Sequence, residues 1–311
     1  MFLNQQYHLK FFIDLMPYAG ELSALLTAVM WTGSALAFAA ATTRVGSVYV
    51  NVVRLVAAVV FLFLTIGVFG IQMSVSVVQV IFLSLSGFAG FVFGDTFYFK
   101  SFEFNSARIS TLIMSTAPAM AALMAFFFLN ETLSYIGILG ITITLGGIAL
   151  VVLERKELST HTIPISMVGV FYALLGALGQ AGGMILAKGA FSYGPVNGFV
   201  ATFIRAFSAT AVLVPLNYFA GRFTKPIEIF SRDRKAFRFT ILGSLLGPYL
   251  GVTLSLIAIS LTDVAIAATI IALVPIIMLP MVWILFREKL SWRAVIGACV
   301  AVAGVGILFL R

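Results

Sequence analysis

Apolar residues run along this chain in blocks of about twenty, divided by short clusters of charged and turn-forming residues. The stretches 22–43 and 55–94 contain no Asp, Glu, Lys or Arg, and each outruns the roughly 18–20 apolar residues that cross the hydrocarbon core of a bilayer. Reading each block to its nearest polar interruption predicts spans over 19–41, 49–69, 77–99, 108–129, 133–153, 166–190, 197–219, 237–259, 263–286 and 291–310. Blocks of this length are helices, because a membrane barrel would need alternating segments about half as long. The one long polar connection, 220–236, reads as a solvated surface loop.

The blocks repeat. Pro118-Ala119-Met120 and Pro275-Ile276-Ile277 each sit mid-span, followed about thirteen residues later by Asn130-Glu131-Thr132-Leu133-Ser134 and Arg287-Glu288-Lys289-Leu290-Ser291. The same offset superposes Gly90 on Gly247, Gly94 on Gly251, Thr96 on Thr253, Gly140 on Gly297 and Gly147 on Gly304, and a slightly shorter one superposes Arg54 on Arg205. The expected fold is therefore an all-α membrane protein with ten transmembrane helices in two five-helix repeats, 19–153 and 166–311, with an N-terminal extension over 1–18 and a linker over 154–165. An odd number of spans per repeat inverts the second half relative to the first, a plan common among secondary transporters.

Composition narrows the function. Hydrophobic residues make up 61% of the 311 positions and charged ones 10%, against roughly 45–50% and 25% in soluble domains. The net charge of +8 comes from Lys and Arg in the connections, where it reports orientation, so no nucleic-acid partner is expected. The single cysteine, Cys299, and the histidines His8 and His161, both outside the spans, leave no metal or nucleophile constellation. No phosphate loop is present. An enzyme is not expected, nor a cofactor. The first eighteen residues lack a signal-peptide core, so no cleavage is expected.

Trp31-Thr32-Gly33-Ser34, Arg54, Ser115-Thr116-Ala117-Pro118 and Asn130-Glu131-Thr132-Leu133, with Lys188, Pro195, Arg205, Pro275 and Arg287-Glu288-Lys289-Leu290 in the second half, resemble the EamA-type branch of the drug/metabolite transporter superfamily over nearly the whole chain after residue 20. Gln180 stands where the second half of that family often has Trp, and the turns lack a Gly before Glu131 and Glu288. The resemblance implies an integral cell-membrane transporter (inner membrane in a Gram-negative source) of amino acids, other metabolites or drugs. It also implies that Trp31, Ser34, Tyr98, Ser115, Thr116, Gln180, Tyr249, Thr253 and Thr269 lie on helices around a central cavity. Any one of the Ser or Thr hydroxyls could instead bond back to its own helix.

Among individual residues, Asp95 is the acid deepest in a span. It reads as a substrate or proton site, or else as half of an ion pair with Lys100 or Arg108 or as a group at the water interface near the helix end. Arg54 and Arg205 read as structural charges that snorkel to the interface or bind a helix-end carbonyl, with gating or anion binding as the alternative. Lys188 could snorkel or meet substrate. Glu131, Glu288 and Glu21 read as charges at helix N-termini, and Pro118 and Pro275 as kinks that are static or serve as hinges. Glycines 87, 90 and 94, and 243, 247 and 251, predict close helix packing.

The expected activity is secondary transport by alternating access, most simply export of an amino acid or related metabolite coupled to a proton or to exchange. Efflux of cationic or lipophilic drugs, with Asp95 as counter-ion, and a non-transporting sensor or scaffold are the alternatives. The expected partners are a small-molecule substrate, the lipid bilayer and a second copy of the chain. Lys and Arg concentrate in the odd-numbered connections, which by the positive-inside rule places both termini outside; the family resemblance implies both inside.

Overall fold

The structure is a computed structural model that describes residues 18–129, 134–152, 165–261, 267, 270–287 and 290–308. The described residues are helical, without strands. In the first half α1 spans Ala19–Val45, α2 Ser47–Val68, α3 Val77–Ser101, α4 Ala107–Leu129 in two pieces and α5 Tyr135–Val152. In the second, α6 spans Met167–Phe191, α7 Gly198–Phe219, α8 Pro226–Arg232, α9 begins at Arg234 and runs to Leu261, α10 spans Val274–Phe286 and α11 Trp292–Leu308. Seven of these are long and apolar enough to cross a membrane, and Tyr135–Val151, Val274–Leu285 and Trp292–Ile307 are shorter apolar helices. The chain is an integral, multi-pass membrane protein.

Local chemistry sets the boundaries. Gly46 alone separates α1 from α2; its φ of 87° lies in the region open to glycine, so the chain reverses in a single residue. Ser76 and Gln79 form a reciprocal capping box at the start of α3. Asp233 caps α9 by accepting from the Ala236 amide at 2.9 Å. Residues 226–232, expected in a solvated loop, instead form α8, which Pro226 opens at a first-turn position where no amide is needed.

Packing mirrors the repeat. Helix α1 lies against α9 as α6 lies against α3, α2 packs on α7, and α5 packs on α11. At the last crossing a Cβ on Gly147 would stand 2.4 Å from the Ala301 amide nitrogen, and one on Gly304 2.4 Å from that of Thr144, so only glycine allows the two backbones to approach this closely. The expected close packing of the two glycine series is present, and each series faces the opposite half: Gly94 meets Gly179 of α6, while Gly243 and Gly247 meet Phe38 and Ser34 of α1.

Two features differ from the sequence reading. Phe88–Gly94 in α3 and Leu245–Gly251 in α9 are π-helical turns at equivalent repeat positions. The expected mid-helix kinks at Pro118 and Pro275 are interruptions: α4 breaks at Ser115-Thr116 and α10 begins after a turn at Ala272-Leu273, leaving each proline second in a new helix, where its missing amide costs no intrahelical bond.

Hydrogen bonds between connections define two ends of the bundle. Arg44 pairs with Asp233 at 2.7 Å, Tyr49 Oη donates to Thr224 O at 2.8 Å, and Asn105 and Ser166 exchange bonds of 3.1 and 2.8 Å. The Ser47 amide donates to Glu103, which also pairs with Lys100. At the opposite end Gln79 Nε2 donates to Gly194 O. Helix α1 therefore ends on the face where α6 begins.

Candidate functional site

The interior charges gather where α2, α3, α6 and α7 meet. Arg54 and Asp95 are 3% and 6% exposed, and Arg54 Nη2 donates to Asp95 Oδ2 at 2.5 Å. The other carboxylate oxygen, Oδ1, accepts from Gln180 Nε2 at 2.8 Å, and the same nitrogen reaches Gly90 O at 3.3 Å. Arg54 Nε donates to Asn51 Oδ1, one turn earlier on the same helix face, and Asn51 Nδ2 donates to Thr96 Oγ1, both at 3.0 Å. Three rings enclose the guanidinium: Phe99 at 4.7 Å, Phe38 at 5.6 Å and Phe91 at 5.8 Å from Arg54 Cζ. Each such contact stabilises a cation by about 0.5–2 kcal/mol.

Arg205 approaches the cluster from the other half. It is 8% exposed, its Cζ lies 4.9 Å from the Phe91 ring, and among the described residues its Nε has no hydrogen-bond partner. Phe91, inside the π-helical turn of α3, is thus faced by both guanidiniums. Just before the turn backbone meets backbone: a Cβ on Gly87 would stand 2.2 Å from Arg205 O. Wide turns of this kind re-aim the residues they contain and recur at functional sites.

This geometry corrects the sequence expectations for the charges. Asp95 pairs with Arg54, not with Lys100 or Arg108; Lys100, at the helix end, pairs with Glu103. Neither Arg54 nor Arg205 snorkels. Each lies seven residues inside its helix, about 10 Å from the end at 1.5 Å per residue, beyond the reach of a side chain that is also held inward by the rings. Asn51, Phe91, Phe38 and Phe99 belong to the cluster and were not singled out, and Thr96, marked only as the repeat counterpart of Thr253, joins them; Asn51 carried a signal, as an amide three residues before an arginine in an apolar helix.

The remaining candidates disperse. Ser34 is buried and donates to Gly243 O of α9 at 2.9 Å. Ser115, Thr116 and Thr253 bond to carbonyls of their own segments at 2.5, 2.8 and 2.6 Å. Tyr98 Oη meets Thr111 Oγ1, and Tyr249 Oη meets Thr65 Oγ1, both at 2.8 Å. Trp31 is half-buried with its indole edge against Gly251, and Lys188 is exposed near the end of α6. Glu21 occupies the first turn of α1. Thr269, Glu131, Glu288, His8 and His161 lie outside the described residues. No group of three or more His, Cys, Asp or Glu that could hold a metal occurs among the described residues.

Residues 18–153 and 167–310 each match the EamA-like transporter family. The chain belongs to that family. An uncharacterized transporter of Bacillus subtilis (strain 168), YxxF, is 31% identical over 130 residues, 42% of this chain and 40% of that protein, so the match spans two-fifths of the relative's length. A protein crystal structure with a TM-score of 0.62, covering 93% of this chain and 94% of its own at 17% identity, shares the fold. Membership of the EamA-like family places the chain within the drug/metabolite transporter superfamily, with its charged cluster at the junction of the two repeats.

Proposed function

We propose that the protein is a secondary active transporter that moves a small organic metabolite, an amino acid or a related compound, outward by alternating access. In this reading ten helices form two inverted five-helix halves, 19–153 and 166–311, and the hinges lie at the breaks before Pro118 and Pro275. The observation that carries the proposal is the buried Arg54–Asp95–Gln180–Arg205 cluster, built from helices of both halves inside the membrane, where charges are costly and are retained at solute or ion sites. The crossed packing of α1 on α9 and α6 on α3 supports a rocking interface, because each half touches the other through equivalent helices. Coupling to a proton or to exchange fits equally.

Efflux of cationic drugs is less well supported, because Asp95, the expected counter-ion, is already held by Arg54. No feature favours a non-transporting sensor or scaffold. Counterflow in proteoliposomes, with amino acids, nucleosides, sugar phosphates and quaternary ammonium compounds, tests the proposal. Accumulation of a labelled amino acid driven by its unlabelled form is the expected result; accumulation of quaternary ammonium alone would replace it with the drug-efflux reading.

A further inference from the structure

The basic end of the bundle carries more cations than its acids hold. Among the described residues there, Glu228 pairs with Lys225 and Arg232, Asp233 with Arg44 and Glu103 with Lys100, which leaves Arg234, Lys235 and Arg238 exposed and without an acidic partner. All three stand in the first turns of α9 and share a face with Ile241, Leu242 and Leu245, because positions three, four, seven and eight residues apart line one side of a helix. Arg238 and these apolar residues, with Phe237 and with Phe61 of α2, line a groove of about 330 Å³ between the two helices, within the roughly 300–1,000 Å³ of small-ligand sites. Arg238 is its one charged residue. Leu245 lies about 10 Å deeper along α9 at 1.5 Å per residue, inside the apolar span. Leu242, and Val60 and Leu64 beside Phe61, are exposed, so the groove opens where the spans face hydrocarbon. Helix α8 borders its mouth, where the Phe230 ring packs 5.8 Å from that of Phe237.

We propose that this groove seats an anionic phospholipid of the leaflet at the basic end, its phosphate held by Arg238, with Arg234 and Lys235 one turn nearer the water, and one acyl chain laid between α2 and α9. Arginine suits the headgroup because its planar guanidinium presents parallel N–H groups to two phosphate oxygens. Basic pockets between membrane helices recruit acidic headgroups, each cation near the surface strengthening binding roughly fivefold. A zwitterionic lipid would bring its own ammonium against three cations. A peptide from the aqueous phase could not follow the groove to Leu245 and Phe61 without leaving backbone groups unsatisfied in hydrocarbon. The inference rests on the chain's placement in the membrane and not on the transporter reading, so it stands whatever solute the protein moves.

Native mass spectrometry of the full chain in detergent, titrated with phosphatidylglycerol and with phosphatidylcholine and phosphatidylethanolamine of the same acyl chains, tests the site. The first adduct is expected to be tightest with phosphatidylglycerol, weakened roughly fivefold in Arg238→Gln and further when Arg234→Gln and Lys235→Gln are added. Lys225→Gln makes the same charge change on a lysine already paired with Glu228 and should leave the adduct unchanged. Leu242→Trp fills the groove without altering a charge and should also weaken the adduct; Ile241→Phe serves the same purpose should Leu242→Trp not fold. Excess glycerol phosphate, a headgroup without chains, should not displace the lipid. Equal binding of the three lipids, an Arg238→Gln protein that binds as wild type does, or a Lys225→Gln protein weakened as much as Arg238→Gln would overturn the proposal, the last by assigning the attraction to the net charge of this end. Binding lost in Arg238→Gln but kept in the groove-filling variants, or displacement by glycerol phosphate, would leave a phosphate site with no acyl seat and overturn it too.

Discussion

Asp95 and Arg54 depend on each other for their place in the membrane. Removing one partner of a buried pair strands the other charge, at a cost of about 3–5 kcal/mol, and here the stranded Arg54 would keep, among the described residues, the rings of Phe38, Phe91 and Phe99 and the Asn51 amide oxygen. Asp95→Ala should therefore lower the thermal midpoint of the purified protein sharply. Asp95→Asn, which still offers Arg54 an oxygen, should lower it less, and the double variant Arg54→Met/Asp95→Leu should recover much of the loss. An Asp95→Ala protein as stable as wild type would show that the pair does not hold these helices. At this scale the sequence was legible in kind but not in partnership. A carboxylate in an apolar span announces itself, yet which cation meets it depends on distances across helices, and the nearby Lys100 and Arg108 were the wrong choice. Ser34 misled for the same reason: a hydroxyl in an apolar helix looks like a cavity group until a carbonyl of another helix is found 2.9 Å away.

Helices proved easier to read than residues, since twenty apolar residues in a row leave few other structures possible in lipid. What escaped was the departure from regular helix. Glycine spacing in α3 and α9 predicted close approach, and the approach is there, but the π-helical turns depend on how the backbone accommodates a neighbour already in contact, which no periodicity records. The α5–α11 crossing gives a direct test of glycine's role. Gly147→Ala would place a methyl 2.4 Å from the Ala301 backbone nitrogen and should destabilise by about 1–3 kcal/mol. Gly146→Ala, with nothing within 4 Å, should be neutral or slightly stabilising. Thermal unfolding of the two adjacent variants reads the difference, and equal effects would mean that the helices do not cross there. At the N-terminus of α9, the Ala236 amide and then Arg44 hold the Asp233 carboxyl below its ordinary pKa. A group depressed by folding stabilises above its unfolded value, roughly 3.9, and the benefit is lost as pH falls through that value toward the folded one. The midpoint of the wild type should thus exceed that of Asp233→Asn, which keeps the cap but not the charge, at neutral pH, and the gap should close below about pH 4. A gap that does not vary with pH would remove the Arg44 pair from the account.

For the molecule as a whole, the undecided property is which way it faces. The twofold repeat, and with it the all-helical membrane class, was legible because duplication multiplies weak motifs, but orientation set charge against kinship. Arg44–Asp233, Tyr49–Thr224, Ser47–Glu103 and Asn105–Ser166 draw the connections after α1, α3, α5 and α7 to one end of the bundle, and that end also carries Lys100, Arg222, Lys225, Arg232, Arg234, Lys235 and Arg238. Lys188 lies at the other. Translocation cost acts on Lys and Arg near helix ends, and neighbouring acids offset it little, so the ion pairs with Asp233 and Glu103 do not weaken the bias. The basic end should face the cytoplasm. In a Cys299→Ser background, Arg44→Cys should resist a membrane-impermeant thiol reagent in intact cells and react with it in inverted vesicles, because Arg44 is 41% exposed and needs no movement to be reached. Labelling in intact cells with protection in inverted vesicles would place the basic end outside and show that kinship, and not charge, is the better guide to this chain's orientation.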